Sequence, residues 1–226
     1  MAIIPSPGAA RAAGVAFAMS FTLAVTVGLG DLLGAFADAG NSFPAYFDHR
    51  PERLRHAAGA YLLAGSGLVF AIFIAQSLAL DRGAGPAGRG VSALVASGTF
   101  AALLGLAAAA LSTVSMSVGF GTITGDPGIE ESQHLLPQLG YVVLAVPAAL
   151  AGGLAVWLLA GLSARNSTLP RWITTFGRVV GVAQLFAFYS LPMMLLPLWT
   201  LIAALGMRSS SAGKGPEPST TAPARR

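Results

Sequence analysis

The sequence predicts an all-α protein: a polytopic bundle of five membrane-spanning helices followed by a disordered C-terminal tail. Two observations carry this prediction. Hydrophobic residues make up 54% of the 226 residues and charged residues only 10%, whereas soluble domains are roughly 25% charged. The apolar residues are also gathered into five long runs, each near the roughly 20 residues that a helix needs to cross a bilayer.

The five predicted spans share this length and are nearly free of charge. They cover residues 14–37, 57–80, 91–118, 138–162 and 178–207. The connectors between them are short and rich in glycine, proline and charge, so none can hold a folded domain outside the membrane. Residues 1–207 therefore form one predicted transmembrane domain. Residues 208–226, rich in Ser, Pro, Gly and Arg, are the predicted tail.

The first span competes with a signal peptide. Residues 35–37 read Ala-Phe-Ala, the small-x-small pattern of a signal-peptidase site, and Arg11 precedes the apolar run. That run is longer than the apolar core of a signal peptide, about 7–15 residues, and it contains Asp31. We therefore interpret it as a retained helix. A carboxylate inside a span is a functional candidate, unless the helix ends early and leaves Asp31 at the interface.

Small residues predict how the spans pack. In the third span they recur every four positions, as Ser97, Ala101, Gly105, Ala109, Thr113 and Ser117. Shorter series occur in the second span (Gly67, Ala71, Ala75, Ala79) and the first (Gly30, Gly34). Because lipid gives helices little hydrophobic drive to associate, such faces allow close backbone contact. They serve packing within the bundle or, alternatively, a seam with another membrane protein or a second copy.

The fifth span contains two prolines, Pro192 and Pro197. Neither has a backbone N–H, so a kink or local unwinding is expected. Freed carbonyls beside Tyr189 and Ser190 are groups that bind ions or polar substrates in the broken helices of transporters. Together with the intramembrane polar residues Asp31, Gln76 and Gln184, they form the basis of one alternative function, a small transporter or channel.

The densest group of charges lies at residues 48–56, where His49, Glu52 and His56 follow an H-x-x-E-x-x-x-H spacing. On one continuous helix these side chains would share a face, as a facial metal site requires. Pro51 instead predicts that the helix starts at this proline, which leaves His49 before it. We favour a charged collar at the membrane interface, with His56 and Glu52 as an ordinary surface pair.

A second group of ionisable residues keeps an enzyme hypothesis open. Glu130, Glu131 and His134 occupy the other loop on the same side of the membrane. With the first group they supply the ligand types of a metal-dependent hydrolase. The sequence contains no cysteine and no H-E-x-x-H, G-x-S-x-G or P-loop motif. We therefore assign no catalytic, cofactor-binding or metal residue from the sequence, and we expect no cofactor.

Basic residues bear on orientation and partners. A cytoplasmic N-terminus places six of them on the inner side, in agreement with the positive-inside rule: Arg11, Arg82, Arg89, Arg165, Arg171 and Arg178. With five spans, however, the basic residues of the tail fall outside. The predicted location is the inner (plasma) membrane, with the N-terminus in the cytoplasm. Basic residues form no stripe, so the expected partner is the lipid bilayer and no nucleic acid.

Three stretches resemble a group of multi-pass membrane proteins of high-GC bacteria whose activity is unassigned. They read "RHAAGAYLLAGSGLVFAIF" (55–73), "LPRWITTFGRVVGV" (169–182) and "PLWTLIAALG" (197–206). The resemblance implies the class of integral membrane protein without an activity, and no functional residue follows from it. The expected role is non-catalytic, that of an accessory or structural subunit.

Overall fold

The computed structural model describes residues 6–28, 50–80, 87–119, 127–166, 168–189 and 191–207. Within these ranges the chain is helical almost throughout, which confirms the all-α prediction for this part of the chain. The α-helices are α1 (Pro7–Leu23), α2 (Arg50–Leu80), α3 (Ala87–Gly119), α4 (Pro127–Val143), α5 (Ala149–Asn166), α6 (Arg171–Ala183) and α7 (Leu191–Gly206). A π-helical turn, Ala24–Gly28, extends α1, and another, Leu144–Ala148, joins α4 to α5.

Four stretches of helix are long and apolar enough to cross a membrane: Pro7–Gly28, Leu54–Leu80, Arg89–Thr113 and Leu135–Arg165. They overlap the first four predicted spans in order. The first begins at Pro7, seven residues before the predicted start, and residues 29–37 of that prediction lie outside the described residues. The helix starts at this proline because Ser6 caps it, its hydroxyl accepting a hydrogen bond from the N–H of Ala9 at 3.1 Å. Proline suits the first helical position because its missing N–H has no partner to lose there.

The middle of the bundle is filled by phenylalanines from three helices. Phe17 of α1, Phe70 of α2 and Phe100 of α3 are fully buried or nearly so. The ring of Phe70 has its centroid 4.8 Å from that of Phe17 and 4.9 Å from that of Phe100. These tilted and edge-on contacts are favourable geometries for aromatic pairs. Since α1, α2 and α3 all contribute a ring, this cluster fixes their relative heights.

Close contacts between backbones hold the helices together where small residues meet. Gly28, at the end of α1, lies directly against Gly59 of α2, and a Cβ on either would collide with the other's backbone. Similarly, a Cβ added at Gly67 of α2 would lie 2.8 Å from the Cα of Ala101 in α3. Such contacts replace the hydrophobic drive that lipid does not supply.

The small-residue series of α3 does not form a single packed face, which corrects that prediction. Ser97 is buried, whereas Ala109 is exposed and Gly105 has open space beside it. The reason is geometric: a step of four residues turns about 40° beyond one full helical turn, so a four-residue repeat drifts around the helix. Larger residues face the core instead, among them Phe100, Leu104 and Leu111.

The fifth predicted span, residues 178–207, is not one helix. The chain rises along α6, passes through a 3₁₀ turn at Gln184–Tyr189 and returns along α7 as an antiparallel hairpin. Phe186 has non-helical dihedrals of φ −108° and ψ 15°. Pro192 falls in the first turn of α7, where its missing N–H is tolerated. The expected unwinding is present beside Pro192, where it reverses the chain instead of kinking a crossing, whereas Pro197 lies inside the continuous helix α7.

Contacts along the hairpin establish its antiparallel register. At the tip, Nε2 of Gln184 donates to the carbonyl of Pro192 at 2.6 Å. Halfway down, the buried Trp199 ring lies against Gly177, and its Nε1 donates to the carbonyl of Ile173 at 3.0 Å. At the base, the side chain of Ile173 meets Gly206.

The hairpin brings Met207 back to the start of α1. Nη2 of Arg11 donates to the carbonyl of Met207, and Gly14 packs against Ala204, so α1 and α7 are antiparallel. The ends of α2 and α5 lie at the same level, since Leu80 and Ser163 line one pocket with Pro7 and Met207. We call this the Arg11 end of the bundle.

Replacing Gly177 with alanine should loosen the hairpin. The new Cβ would lie 2.5 Å from Nε1 of Trp199, and overpacking of this kind costs about 1–3 kcal/mol. We expect Gly177→Ala to lower the free energy of unfolding accordingly, measured by SDS titration of the purified protein. Gly161→Ala is the matched control, because Gly161 has open space beside it. Equal stability of the two variants would contradict the hairpin packing.

Candidate functional site

The structure describes only some of the residues singled out in the sequence. His49 and Asp31 lie outside the described residues, as do Ser190 and the Gly30–Gly34 pair. Four more lie on described helices while their side chains fall outside the described part: Glu52 on α2 and Glu130, Glu131 and His134 on α4. The sequence-based candidates with described side chains are therefore His56, Gln76 and Gln184.

His56 faces the bundle interior, in contrast to the surface position expected from the sequence. The helix begins at Arg50 with Pro51 in its first turn, within one residue of the predicted start. His56 is only 2% exposed, whereas Arg55 beside it is exposed. Among the described side chains, no three His, Asp or Glu residues gather as a metal site requires. The sequence did contain an indication that His56 is buried. His56, Leu63 and Phe70 follow one another at intervals of seven residues and so share a helix face, and Leu63 and Phe70 are buried.

Gln184 closes the tip of the hairpin. It is buried against Gly153 of α5, where an added Cβ would lie 2.7 Å from the Cβ of Gln184. A carbonyl can only accept hydrogen bonds, so the amide nitrogen must be the atom facing Pro192. Oε1 is buried without a hydrogen-bond partner. In the described structure, the hydrogen bond of Gln184 to Pro192 therefore joins the end of α6 to the start of α7.

Side chains fill the bundle at the level where a transport path would pass. The side chains of Phe100 and Leu196 both pack directly against Gly152 of α5. A Cβ added at Gly152 would lie 3.0 Å from the first and 3.1 Å from the second. With the phenylalanine cluster beside them, these residues close the described bundle axis near the hairpin tip. The polar cavity expected of a transporter is therefore absent from this level of the described structure.

Several grooves open sideways from the described part of the bundle, and two of them exceed 300 Å³. The larger, of about 600 Å³, runs between α1 and α7 and is lined mainly by apolar side chains, among them Met19, Leu23 and Leu198. The smaller, of about 350 Å³, lies between α2 and α3. Its walls include Ala64, Gly105 and Ala109, so this groove contains part of the small-residue series of α3. Both grooves face outward, where a membrane would supply lipid or another helix.

Polar groups gather at the Arg11 end. A pocket of about 30 Å³ holds three hydroxyl side chains, Ser77, Ser163 and Thr168, between the apolar walls of Leu80 and Leu169. Arg11 reaches the same place through its bond to Met207, which also lines the pocket. A guanidinium at the end of α7 also suits the negative C-terminal end of a helix dipole.

Arg11 carries an unused donor. Its Nε is buried and has no hydrogen-bond partner among the described residues. From the sequence, Arg11 served only as a flank for the first span. The sequence could have indicated that Arg11 lies on the same helix face as Pro7, because residues four apart share a face. Its partner Met207, however, is 196 residues away in the sequence, and only the fold brings the two together.

Comparison of the chain with family models, with curated proteins and with solved structures gives no match. No relative therefore supplies a function for the groups at the Arg11 end or at the hairpin tip.

The two buried glutamines should respond differently to replacement by leucine. Gln184→Leu removes the hydrogen bond to Pro192, which is worth about 1 kcal/mol. Gln76 has a buried Oε1 without a partner and no side-chain hydrogen bond to the described residues, so Gln76→Leu should leave stability unchanged or raise it. SDS-induced unfolding measures both. A larger loss for Gln76→Leu than for Gln184→Leu would contradict these assignments.

Proposed function

We propose that this chain is an integral inner (plasma) membrane protein with a non-catalytic role, an accessory or structural subunit. The observation that carries the proposal is the apolar outer surface of the four long helices. Large hydrophobic side chains such as Met19, Leu68, Ile72 and Val95 are more than half exposed. A surface of this kind is stable in hydrocarbon and unfavourable in water.

We further propose four complete crossings and one hairpin that enters and leaves on the side of the N-terminus. With 13 residues in α6 and 16 in α7, these helices are about 20 and 24 Å long, shorter than the roughly 30 Å of hydrocarbon. The contact between Arg11 and Met207 supports the return. Five crossings, the topology expected from the sequence, would instead separate the tail from the N-terminus.

This topology removes the conflict over the basic tail. Both termini lie on the same side, which then holds ten of the thirteen Lys and Arg residues and two of the nine acidic residues. The tail adds Arg208, Lys214, Arg225 and Arg226 to the six basic residues already placed inside. The other side holds three basic and seven acidic residues. Because the positive-inside rule favours the basic side for the cytoplasm, the N-terminus is cytoplasmic.

The packing of α1 supports its retention in the mature protein. Phe17 and Phe21 are fully buried, and Gly14 is wedged between Phe73 of α2 and Ala204 of α7. Cleavage after Ala37 would remove these contacts and expose both neighbouring helices. This packing favours a retained first helix over a signal peptide.

A partner of the proposed subunit would be another membrane protein or a second copy, seated in the groove between α2 and α3. The open space beside Gly105 supports this, because a helix can approach closely there. The two alternatives have less support. The transporter would need a polar path beside the hairpin tip, where the described side chains are packed, and the hydrolase would need its His and Glu residues gathered.

Single cysteines test the topology, since the natural chain has none. We expect Ser6→Cys and Ser210→Cys to react with a membrane-impermeant maleimide only from the cytoplasmic side. Gly125→Cys, in the connector between α3 and α4, should react only from the outside. The measurement compares labelling of intact spheroplasts with that of inverted vesicles. Labelling of Ser210→Cys from the outside, together with Gly125→Cys, would restore the five-crossing topology.

Blocking the groove between α2 and α3 tests the partner role. Gly105→Leu fills it, whereas Gly98→Leu places the same side chain at an exposed position of α3 with equally open surroundings. In a pull-down from native membranes in mild detergent, recovery of the partner should fall about tenfold for Gly105→Leu, which corresponds to about 1.4 kcal/mol. Gly98→Leu should behave as wild type. Unchanged recovery and oligomeric state for Gly105→Leu would argue against the groove.

A further inference from the structure

We propose that the Arg11 end of the bundle binds the phosphate of an anionic phospholipid in the cytoplasmic leaflet. The site consists of the Arg11 guanidinium and the hydroxyls of Ser163 and Thr168 in the adjoining pocket. The exposed Arg165 and Arg171, which we call the rim arginines, lie at the same end of the bundle. The proposal rests on the orientation within the topology proposed above, since a cytoplasmic N-terminus places this end in the cytoplasmic leaflet.

The first argument is the incomplete hydrogen bonding of Arg11. A guanidinium has five N–H donors, and the described residues offer it one bond, from Nη2 to the carbonyl of Met207. The Nε is buried and unpartnered. Leaving a buried donor of a charged group without an acceptor is costly. A phosphate would supply the missing acceptors, because two of its oxygens can accept hydrogen bonds from adjacent guanidinium donors.

The pocket beside Arg11 offers further donors. Ser163 is buried, and neither it nor Thr168 hydrogen-bonds to the described residues, so both hydroxyl protons are free for an acceptor. Ser77 differs, since its hydroxyl already donates to the carbonyl of Phe73 at 2.7 Å. A volume of about 30 Å³ admits one group the size of water. One phosphate oxygen therefore fits the pocket, while the rest of the headgroup stays at the rim.

Charge at the rim favours an anion. Arg165 lies in the last turn of α5 and Arg171 is the first residue of α6, so both exposed side chains lie at this end of the bundle. Arg89, at the start of the third crossing stretch, is exposed on the same side. Each basic residue near an anionic leaflet contributes about 1 kcal/mol of attraction.

The surroundings of the site indicate a lipid as the source of the phosphate. The pocket walls include Leu80, Leu169 and Met207, so the phosphate lies next to apolar surface. Trp172, which follows Arg171, is 61% exposed. Exposed tryptophans of this kind lie at the level of lipid headgroups. A free phosphate would gain nothing from a tryptophan at this level, whereas a phospholipid would extend its acyl chains past it along the exposed apolar side chains of the bundle.

The test measures binding of short-chain phosphatidylglycerol to the purified full-length protein in a zwitterionic detergent, by the shift of its thermal unfolding. Phosphatidylcholine with the same chains and inorganic phosphate are the comparison ligands. We expect phosphatidylglycerol to raise the unfolding temperature at concentrations where the other two do not. An equal shift with phosphatidylcholine would overturn the proposal, and an equal shift with inorganic phosphate would show an anion site without lipid specificity and overturn it too.

Variants locate the site. Arg11→Gln should weaken binding of phosphatidylglycerol about fivefold or more, and the double variant Arg165→Gln/Arg171→Gln about 25-fold, as roughly 1 kcal/mol per arginine implies. The double variant matters if Arg11→Gln does not fold, because its two side chains are exposed. Arg55→Gln, at the opposite end of α2 and also exposed, is the control and should bind as wild type.

The outcomes separate this proposal from the topology on which it depends. If Arg55→Gln weakens binding as much as the rim variants do, the site is wrong, whatever the cysteine labelling shows. If the rim variants weaken binding while Ser210→Cys is labelled from outside, the lipid site stands at this end and the topology fails. Binding that is unaffected by the rim variants would overturn the proposal outright.

Discussion

Proline 192 has no backbone N–H and therefore cannot lie in the interior of an α-helix without leaving a carbonyl unpaired. In hydrocarbon no water is available to satisfy such a group. The chain meets this constraint by ending one helix before Pro192 and starting another with Pro192 in its first turn. Gln184 bridges the break through the carbonyl of Pro192. The direction in which α7 runs depends on this reversal.

Glycine makes the reversal stable. The hairpin packs tightly because Gly177 leaves room for the Trp199 ring and Gly153 leaves room for Gln184. The same device operates between α1 and α2 at Gly28 and Gly59. In each pair two backbones, or a backbone and a large ring, approach to a distance that any side chain would prevent. Close packing of this kind is the main source of association available to helices in lipid.

The hairpin also explains why the Arg11 end has a chemistry of its own. Returning α7 to the start of α1 gives Arg11 a carbonyl to bind and forms a pocket from the ends of α1, α2, α5 and α7. A straight fifth crossing would leave Arg11 as an isolated flanking charge. The proposed lipid site and the proposed orientation thus share one structural cause, although each is tested separately.

The sequence by itself determined that the chain is helical and apolar on its outside, because helix length and composition are local properties. It also indicated the break near Pro192, since the missing N–H is a property of one residue. It did not determine which way the chain continues after the break, nor that His56 is buried. The drift of the small-residue series around α3 was predictable from helix geometry, but which side it faced was not.

Only the tertiary structure decided these points, because each depends on contacts between residues far apart in the sequence. Met207 lies 196 residues from Arg11, and the Trp199 ring meets Gly177 only after the chain has turned back. A hydropathy average describes one continuous segment and contains no information about contacts between distant segments. The positive-inside rule has the same limit, since it can be applied only when the connectors that share a side of the membrane are known.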